Sequence, residues 1–272
     1  MTSLRYCAGY SLVLVSRLLK SIFRKLLWIA YLPERFSLIV WTPREIEMYA
    51  RADWNSRSAV ENYSGQNDWV VITEKTLVET YFNNGGELLN IACGAGREAL
   101  LLALRGLKVT ACDWSPRLIA EAERRAKEAN LPVRFVVADM VDLSYPEHSF
   151  DYLLLTNNAY GYVFPRHRRI HFLQQVYSML RPQGIFIVSF ARAIKSADGK
   201  ERFLQRLFMR LRQYAPFNRD YEPGDTLAGS FLHRFEPEEL RQEFEETKFR
   251  IKDWLWYQGY AVLTKVESEP YR

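Results

Sequence analysis

A strand, a two-glycine turn and a helix in immediate succession constrain this chain more than any other feature. Leu88-Leu89-Asn90-Ile91-Ala92 is almost continuously apolar, as a strand buried on both faces of a parallel sheet must be. Cys93-Gly94-Ala95-Gly96 follows, and Arg97-Glu98-Ala99-Leu100-Leu101-Leu102-Ala103-Leu104 runs on as a helix. Glycine suits a backbone that turns sharply and must approach a ligand without a Cβ in the way. The helix behind it aims unsatisfied N–H groups and a positive dipole end at that ligand. The stretch reads as a cofactor cradle. A lone Gly-x-Gly also fits any tight strand-to-helix turn, so the neighbouring strands carry the assignment.

A second strand, Lys108-Val109-Thr110-Ala111-Cys112, ends at Asp113, seventeen residues after Gly96. An acid at the tip of a second strand can accept both ribose hydroxyls of a bound nucleoside. A third, Val133 to Ala138, ends at Asp139, placed to accept from an adenine amino group. Further on, Leu180-Arg181-Pro182-Gln183-Gly184 closes a helix and turns into the apolar strand Ile185 to Phe190.

On these residues the chain resembles the class I S-adenosylmethionine-dependent methyltransferases, in their small-molecule branch. The resemblance covers about residues 85–192 and, more loosely, the C-terminal strands. It implies an α/β, doubly wound, Rossmann-like seven-stranded sheet with an antiparallel last strand, and S-adenosyl-L-methionine as cofactor. It also implies cofactor-binding roles for Asn90, Ala92, Cys93, Gly94, Gly96, Asp113, Trp114, Asp139, Met140 and Asn157. The family usually has Asp or Glu at the place of Asn90, where the acid helps hold the methionine amino group, and glycine at the place of Ala92. Asn still accepts through its carbonyl oxygen, and Ala is the smallest residue after glycine. Trp114 either packs on the adenine ring, its usual role in the family, or serves ordinary sheet-to-helix packing.

Two other readings are open. Gly94 to Ala99 satisfies G-x-G-x-x-G/A with an acid at a suitable distance, as in a nicotinamide-dinucleotide oxidoreductase. Against it stand the acid after the third strand, the Arg-Pro-Gln-Gly turn and the hairpin at the chain's end. The other is a methyltransferase-like scaffold without turnover, which the departures at Asn90 and Ala92 favour.

The chain has 272 residues, 48% of them hydrophobic, enough to bury a full core. It divides into an N-terminal helical extension, residues 1–42, and a methyltransferase domain, residues 43–272, with a cover insertion at about 192–235. Residues 10–32 read as a basic amphipathic helix: on a helical wheel Val15, Leu18, Leu19, Ile22, Phe23, Leu26 and Ile29 share a face opposite Arg17, Lys20, Arg24 and Lys25. The longest charge-free run, Tyr6 to Ser16, has eleven residues, too few to span a membrane. A lid over the domain and peripheral contact with an anionic membrane both fit this helix. A secretory signal is not evident, and a cytoplasmic location is expected, with or without membrane association. The three cysteines suit a reducing compartment, Cys93 and Cys112 being read as buried thiols. No metal-ligand spacing and no nucleic-acid-binding module is recognisable, and the net charge of +5 is modest.

The acceptor side is less legible. Thr42-Pro43-Arg44-Glu45 reads as a helix start. Trp54, Tyr63 and Trp69 beyond it either line a substrate pocket or, the favoured reading for any one of them, cover the sheet edge. The fourth strand, Phe150 to Thr156, delivers Asn157-Asn158-Ala159-Tyr160-Gly161-Tyr162 to the carboxyl edge, where ligands of open parallel sheets bind. This loop lacks the Asn-Pro-Pro-aromatic motif of base-amine methylation and the acidic pair of magnesium-dependent catechol enzymes. His167 and His171, with Arg168 and Arg169, read as a solvated helix face. Glu201 to Tyr214 reads as a second basic amphipathic helix in the cover. His233 precedes a helix that returns over the site in similar enzymes. It is the candidate general base, with an ordinary pKa of ~6.5, or else a structural histidine bridging two loops. The aromatic and aliphatic cover points to a small apolar or amphipathic acceptor with a hydroxyl, amine or carboxylate.

Overall fold

The computed structural model describes residues 37–64, 71–193, 199–214, 218–228 and 230–265. The basic helix read at 10–32, and with it the choice between lid and membrane, lies outside the described residues, as do Cys7 and Trp69.

Among the described residues, the helices α1 (Pro43–Trp54), α2 (Arg57–Ser64) and α3 (Ile72–Tyr81) come before the sheet. The chain then alternates β1 (Glu87–Ile91), α4 (Arg97–Leu104), β2 (Lys108–Asp113), α5 (Pro116–Glu128), β3 (Arg134–Val137), β4 (Phe150–Leu155), α6 (Arg166–Met179) and β5 (Leu180–Ser189). The cover follows as α7 (Gly199–Leu211) and the hairpin β6 (Asp225–Ala228) and β7 (Ser230–His233). α8 (Pro237–Glu246), β8 (Phe249–Leu255) and β9 (Tyr260–Lys265) close the fold. The seven-stranded sheet has the order β3-β2-β1-β4-β5-β9-β8, with β9 antiparallel to both neighbours and β1 to β5 parallel.

Local sequence explains most boundaries. Thr42 caps α1 with a capping box: its backbone N–H donates to the Glu45 carboxylate at 2.7 Å, and the Glu45 N–H donates to the Thr42 hydroxyl at 3.3 Å. Ser115 accepts the Leu118 N–H at 3.3 Å, with Pro116 in the first turn of α5. Gly259 turns the β8–β9 connection at φ +77°, and a Cβ there would meet the Phe190 carbonyl oxygen at 2.7 Å.

Alternate residues of the central strands feed opposite faces. Leu89, Ile91, Leu153 and Leu155 pack on Phe172, Leu173 and Val176 of α6 and Leu240 and Phe244 of α8. Leu88, Tyr152 and Leu154 pack on Leu77 and Val78 of α3, Ala99 and Leu102 of α4 and Ile119 of α5. Both faces are covered, as a parallel sheet requires. A third cluster joins Leu38, Ile39 and Ile46 to Phe164, Phe208, Tyr221 and Phe231, so the segment before α1 and the cover share one small core.

The structure corrects several readings. The turn expected at Leu180 to Gly184 is there, but inside β5: Leu180 pairs with Phe150 and Ile185 with Tyr152, so the register jumps across Arg181 to Gly184, where Gln183 is left-handed at φ +63°. Arg169 is not on a solvated face but fully buried, with its guanidinium 2.9 Å from Glu222, 3.3 Å from Glu239 and 2.8 Å from Glu243; His167 and His171 are exposed. On α7, Phe208 is buried while Phe203, Leu207 and Leu211 are exposed. No described helix is long and apolar enough to cross a membrane.

Candidate active site

The strand order reverses between β1 and β4, so the crossovers diverge there and leave a crevice at the carboxyl edge. A cavity fills it, and eight of the ten residues expected to bind cofactor line it: Ala92, Cys93, Gly94, Asp113, Trp114, Asp139, Met140 and Asn157. The turn after β1 is left-handed at Ala92, Gly94 and Gly96 (φ +52°, +54° and +81°). A Cβ on Gly94 would meet only Tyr63, at 3.9 Å, so this turn opens onto free space.

Asp113 is buried, and its two oxygens accept the Gly94 N–H at 3.0 Å and the Ser115 N–H at 2.9 Å. A carboxylate has about four acceptor positions, so two further bonds remain available to a vicinal diol. Burial pushes its pKa up, against the two backbone N–H groups that pull it down. Asp139 accepts the Val141 N–H at 3.1 Å and pairs with Arg51 of α1. The Arg51 guanidinium also lies 5.2 Å from the Trp114 ring centroid. Cys93 and Cys112 are free thiols, and burial pushes both up.

Two expected cofactor residues do not line the cavity. Asn90 is buried in β1; its amide donates to the Leu154 carbonyl at 3.5 Å, and its Oδ1 has no partner among the described residues. Gly96 serves packing: a Cβ there would meet Ala122 at 2.9 Å and Phe135 at 3.2 Å, so the glycine lets α4 close onto α5. In their place the cavity takes Arg97, Glu98 and Thr156. Glu98 is buried, pairs with Arg97, and accepts from the Thr156 hydroxyl at 3.4 Å. Behind it Glu74 accepts from the Tyr260 hydroxyl at 3.1 Å. Burial, and then the charge of Glu98, push Glu74 up to about 8.

The other wall comes from the helices before the sheet. Ile46, Ala50 and Trp54 recur every four residues on α1 and face the cavity with Tyr63 of α2, opposite Tyr162, Phe164 and Phe231. Trp54 lies 5.7 Å from the Tyr63 ring and 5.3 Å from the Tyr162 ring. Trp54 and Tyr63 are therefore pocket residues rather than an edge cover, because α1 and α2 fold across the crevice mouth. Sequence reasoning places a helix start at Thr42 but misses this stripe, whose signal is the spacing of four along α1. Glu47, Arg51 and Arg168 form its polar border, Arg168 lying 3.0 Å from Glu47.

His233 is corrected as well. It is buried outside the cavity lining, with Nδ1 2.7 Å from Asp225 and Nε2 2.8 Å from Glu239. Burial alone would lower its pKa, but those two carboxylates push it up to about 9. Both ring nitrogens are thus engaged by carboxylates from two elements, which fits the structural, bridging reading of this histidine. Glu222, His233 and Glu239 stand close enough together to hold a cation; the Arg169 guanidinium already supplies one.

The reversed strand next to β5, the acid-tipped β2 and β3, and the glycine turn below a crevice are the arrangement that the resemblance to class I S-adenosylmethionine-dependent methyltransferases implied. Residues 88–184 match the family described as "Methyltransferase domain". The chain is 30% identical over 158 residues to a demethylmenaquinone methyltransferase of Thermus thermophilus, covering 56% of this chain and 65% of that protein. It is 28% identical over 148 residues to a glycine/sarcosine N-methyltransferase of Parasynechococcus marenigrum, covering 54% of this chain and 49% of that one. The chain thus spans about half to two thirds of the length of these two relatives. A solved Burkholderia thailandensis 1,6-didemethyltoxoflavin-N1-methyltransferase shares the fold, with a TM-score of 0.59 at 19% identity over 83% of this chain and 91% of that one.

Proposed function

We propose that the protein transfers the methyl group of S-adenosylmethionine to an oxygen, nitrogen or carboxylate of a small, apolar or amphipathic acceptor. The observation that carries this reading is the meeting of two unlike surfaces in one cavity. On one side stand Gly94, Asp113 and Asn157 at the strand tips; on the other stands the aromatic wall of Trp54, Tyr63, Tyr162, Phe164 and Phe231. The donor set fits the cofactor, with a carboxylate for the ribose diol, an aromatic face at Trp114 and an open glycine turn for the chain that follows.

When bound, S-adenosylmethionine supplies an electrophilic methyl carbon on a sulfonium. The protein's own tasks are then orientation and exclusion of water. The aromatic wall desolvates and aligns a flat or apolar acceptor. The Trp54 indole N–H, buried and without a partner among the described residues, is a donor for an acceptor oxygen. With His233 held away in an ion network, a hydroxyl or amine acceptor loses its proton to solvent or to a group of its own. The strand order, with β9 reversed beside β5, disfavours the nicotinamide reading.

The test is methyl transfer from labelled cofactor to panels of phenols, amines, carboxylic acids and quinols, beside calorimetry with S-adenosylhomocysteine. Transfer to one apolar class is expected. Tight cofactor binding with no transfer to any class would favour the scaffold reading instead.

A further inference from the structure

The resemblance assigns the cofactor's ammonium to an acid at position 90, and here that position is a neutral Asn outside the cavity lining. We propose that Glu98 receives the ammonium of the aminoacyl half in its place. This rests on the methyltransferase reading and refines its cofactor site.

Position argues first. Asp113 and Asp139, at the tips of β2 and β3, mark the nucleoside end of the cavity. The sheet order β3-β2-β1-β4 then places the aminoacyl half over β1 and β4, between Ala92–Gly94 and Thr156–Asn157. Glu98 stands at that end, in the first turn of α4, held by the Thr156 hydroxyl at 3.4 Å. Glu98 also pairs with Arg97, and the other acids lining the cavity stand away from that end. Glu47 is paired with Arg51 and Arg168, Asp139 with Arg51, and Asp113 sits at the ribose end.

Charge argues second. A buried acid is retained as a carboxylate only where its surroundings favour the anion. Glu98 lies at the positive end of the α4 dipole and beside Arg97. Its acidic neighbour Glu74 is pushed up to about 8, by burial first and then by the charge of Glu98. A carboxylate at the aminoacyl end would pair a primary ammonium that otherwise enters a low-dielectric site alone. Asn90 cannot do this: it is uncharged, and its amide already faces β4.

The experiment compares two ligands by calorimetry on the full chain. S-adenosylhomocysteine carries the ammonium; 5′-methylthioadenosine keeps the nucleoside and sulfur but lacks the amino acid. Loss of a charge-assisted hydrogen bond predicts that Glu98→Gln weakens S-adenosylhomocysteine by roughly tenfold or more and leaves 5′-methylthioadenosine within about twofold. Glu98→Asp, which keeps the charge on a shorter stem, should fall between. If Glu98→Gln fails to fold, Thr156→Val, which releases the carboxylate, is expected to shrink the preference for S-adenosylhomocysteine in the same sense. Equal weakening of both ligands, or none of either, overturns the proposal while leaving the methyltransferase reading intact. A wild-type chain that binds neither ligand overturns both.

Discussion

Asp113 holds its place in the fold and its proposed ligand with the same two oxygens. The backbone N–H groups of Gly94 and Ser115 fix the carboxylate, and the ribose would take the positions left over. Asp113→Ala is therefore expected to weaken S-adenosylhomocysteine by roughly tenfold or more, since each bond to a charged group contributes about 1.5–3 kcal/mol. It should also lower the melting temperature, because the two backbone donors lose their acceptor; calorimetry and a thermal melt read the two effects separately. His233 works in the opposite sense, for the fold alone. Its folded-state pKa, about 9, lies above the unfolded value of about 6.5. Its contribution is thus complete below about pH 6.5 and fades as pH rises through 9. His233→Gln should melt well below wild type at pH 6, and the gap should narrow by pH 9.5. A gap constant across that range would mean that the histidine is neutral in the folded protein.

At the scale of elements, the glycine turn divides its work between cavity and packing. Gly96 lies where α4 meets α5, so Gly96→Ala combines a left-handed backbone with a collision against Ala122 and Phe135. Such overpacking costs about 1–3 kcal/mol, and the melting temperature should fall. Gly94 opens onto the cavity. Gly94→Ala carries the backbone penalty of about 1–2 kcal/mol, but its larger effect is expected on cofactor affinity, because the new methyl occupies ligand space. Melts and calorimetry on the pair should thus rank them in opposite orders. α1 shows the same division: Ile46, Ala50 and Trp54 line the cavity while Glu47 and Arg51 tie the helix to Arg168 and Asp139.

At the scale of the molecule, a buried ion network among the described residues fastens the cover to the sheet. Arg169 joins α6, the cover and α8 through Glu222, Glu239 and Glu243, and Tyr160 donates to Glu243 from the loop after β4. That loop is also pressed against the cover: a Cβ on Gly161 would meet the His233 carbonyl oxygen at 2.7 Å. On the other face Glu74 of α3, Glu98 of α4 and Tyr260 of β9 meet. Glu74 has a folded-state pKa, about 8, above the ordinary 4.5. Folding therefore disfavours its charged form, and the penalty grows as pH rises from about 4.5 to 8. Glu74→Gln should gain in melting temperature over wild type as pH is raised from 6 to 9. A gain independent of pH would place its charge outside the balance.

The sequence by itself determined the cradle, because its parts are local. A strand, its terminal acid and the helix cap behind it lie within a few residues, and spacing along the chain reports them directly. Asp113, Gly94, Trp114, Asp139 and the reversed last strand were legible for that reason. The tertiary structure alone decided what faces what. Arg51 meets Asp139 across 88 positions of sequence, Arg169 meets Glu243 across 74, and Trp54 becomes a pocket wall only because α1 folds over the crevice. His233 carries the same residue identity as a general base or as a buried cation. Asp225 and Glu239, brought to its two nitrogens by a hairpin and a helix start, make it the cation. Local propensity sets the elements, whereas burial and charge pairing between distant segments set the roles of the side chains they carry.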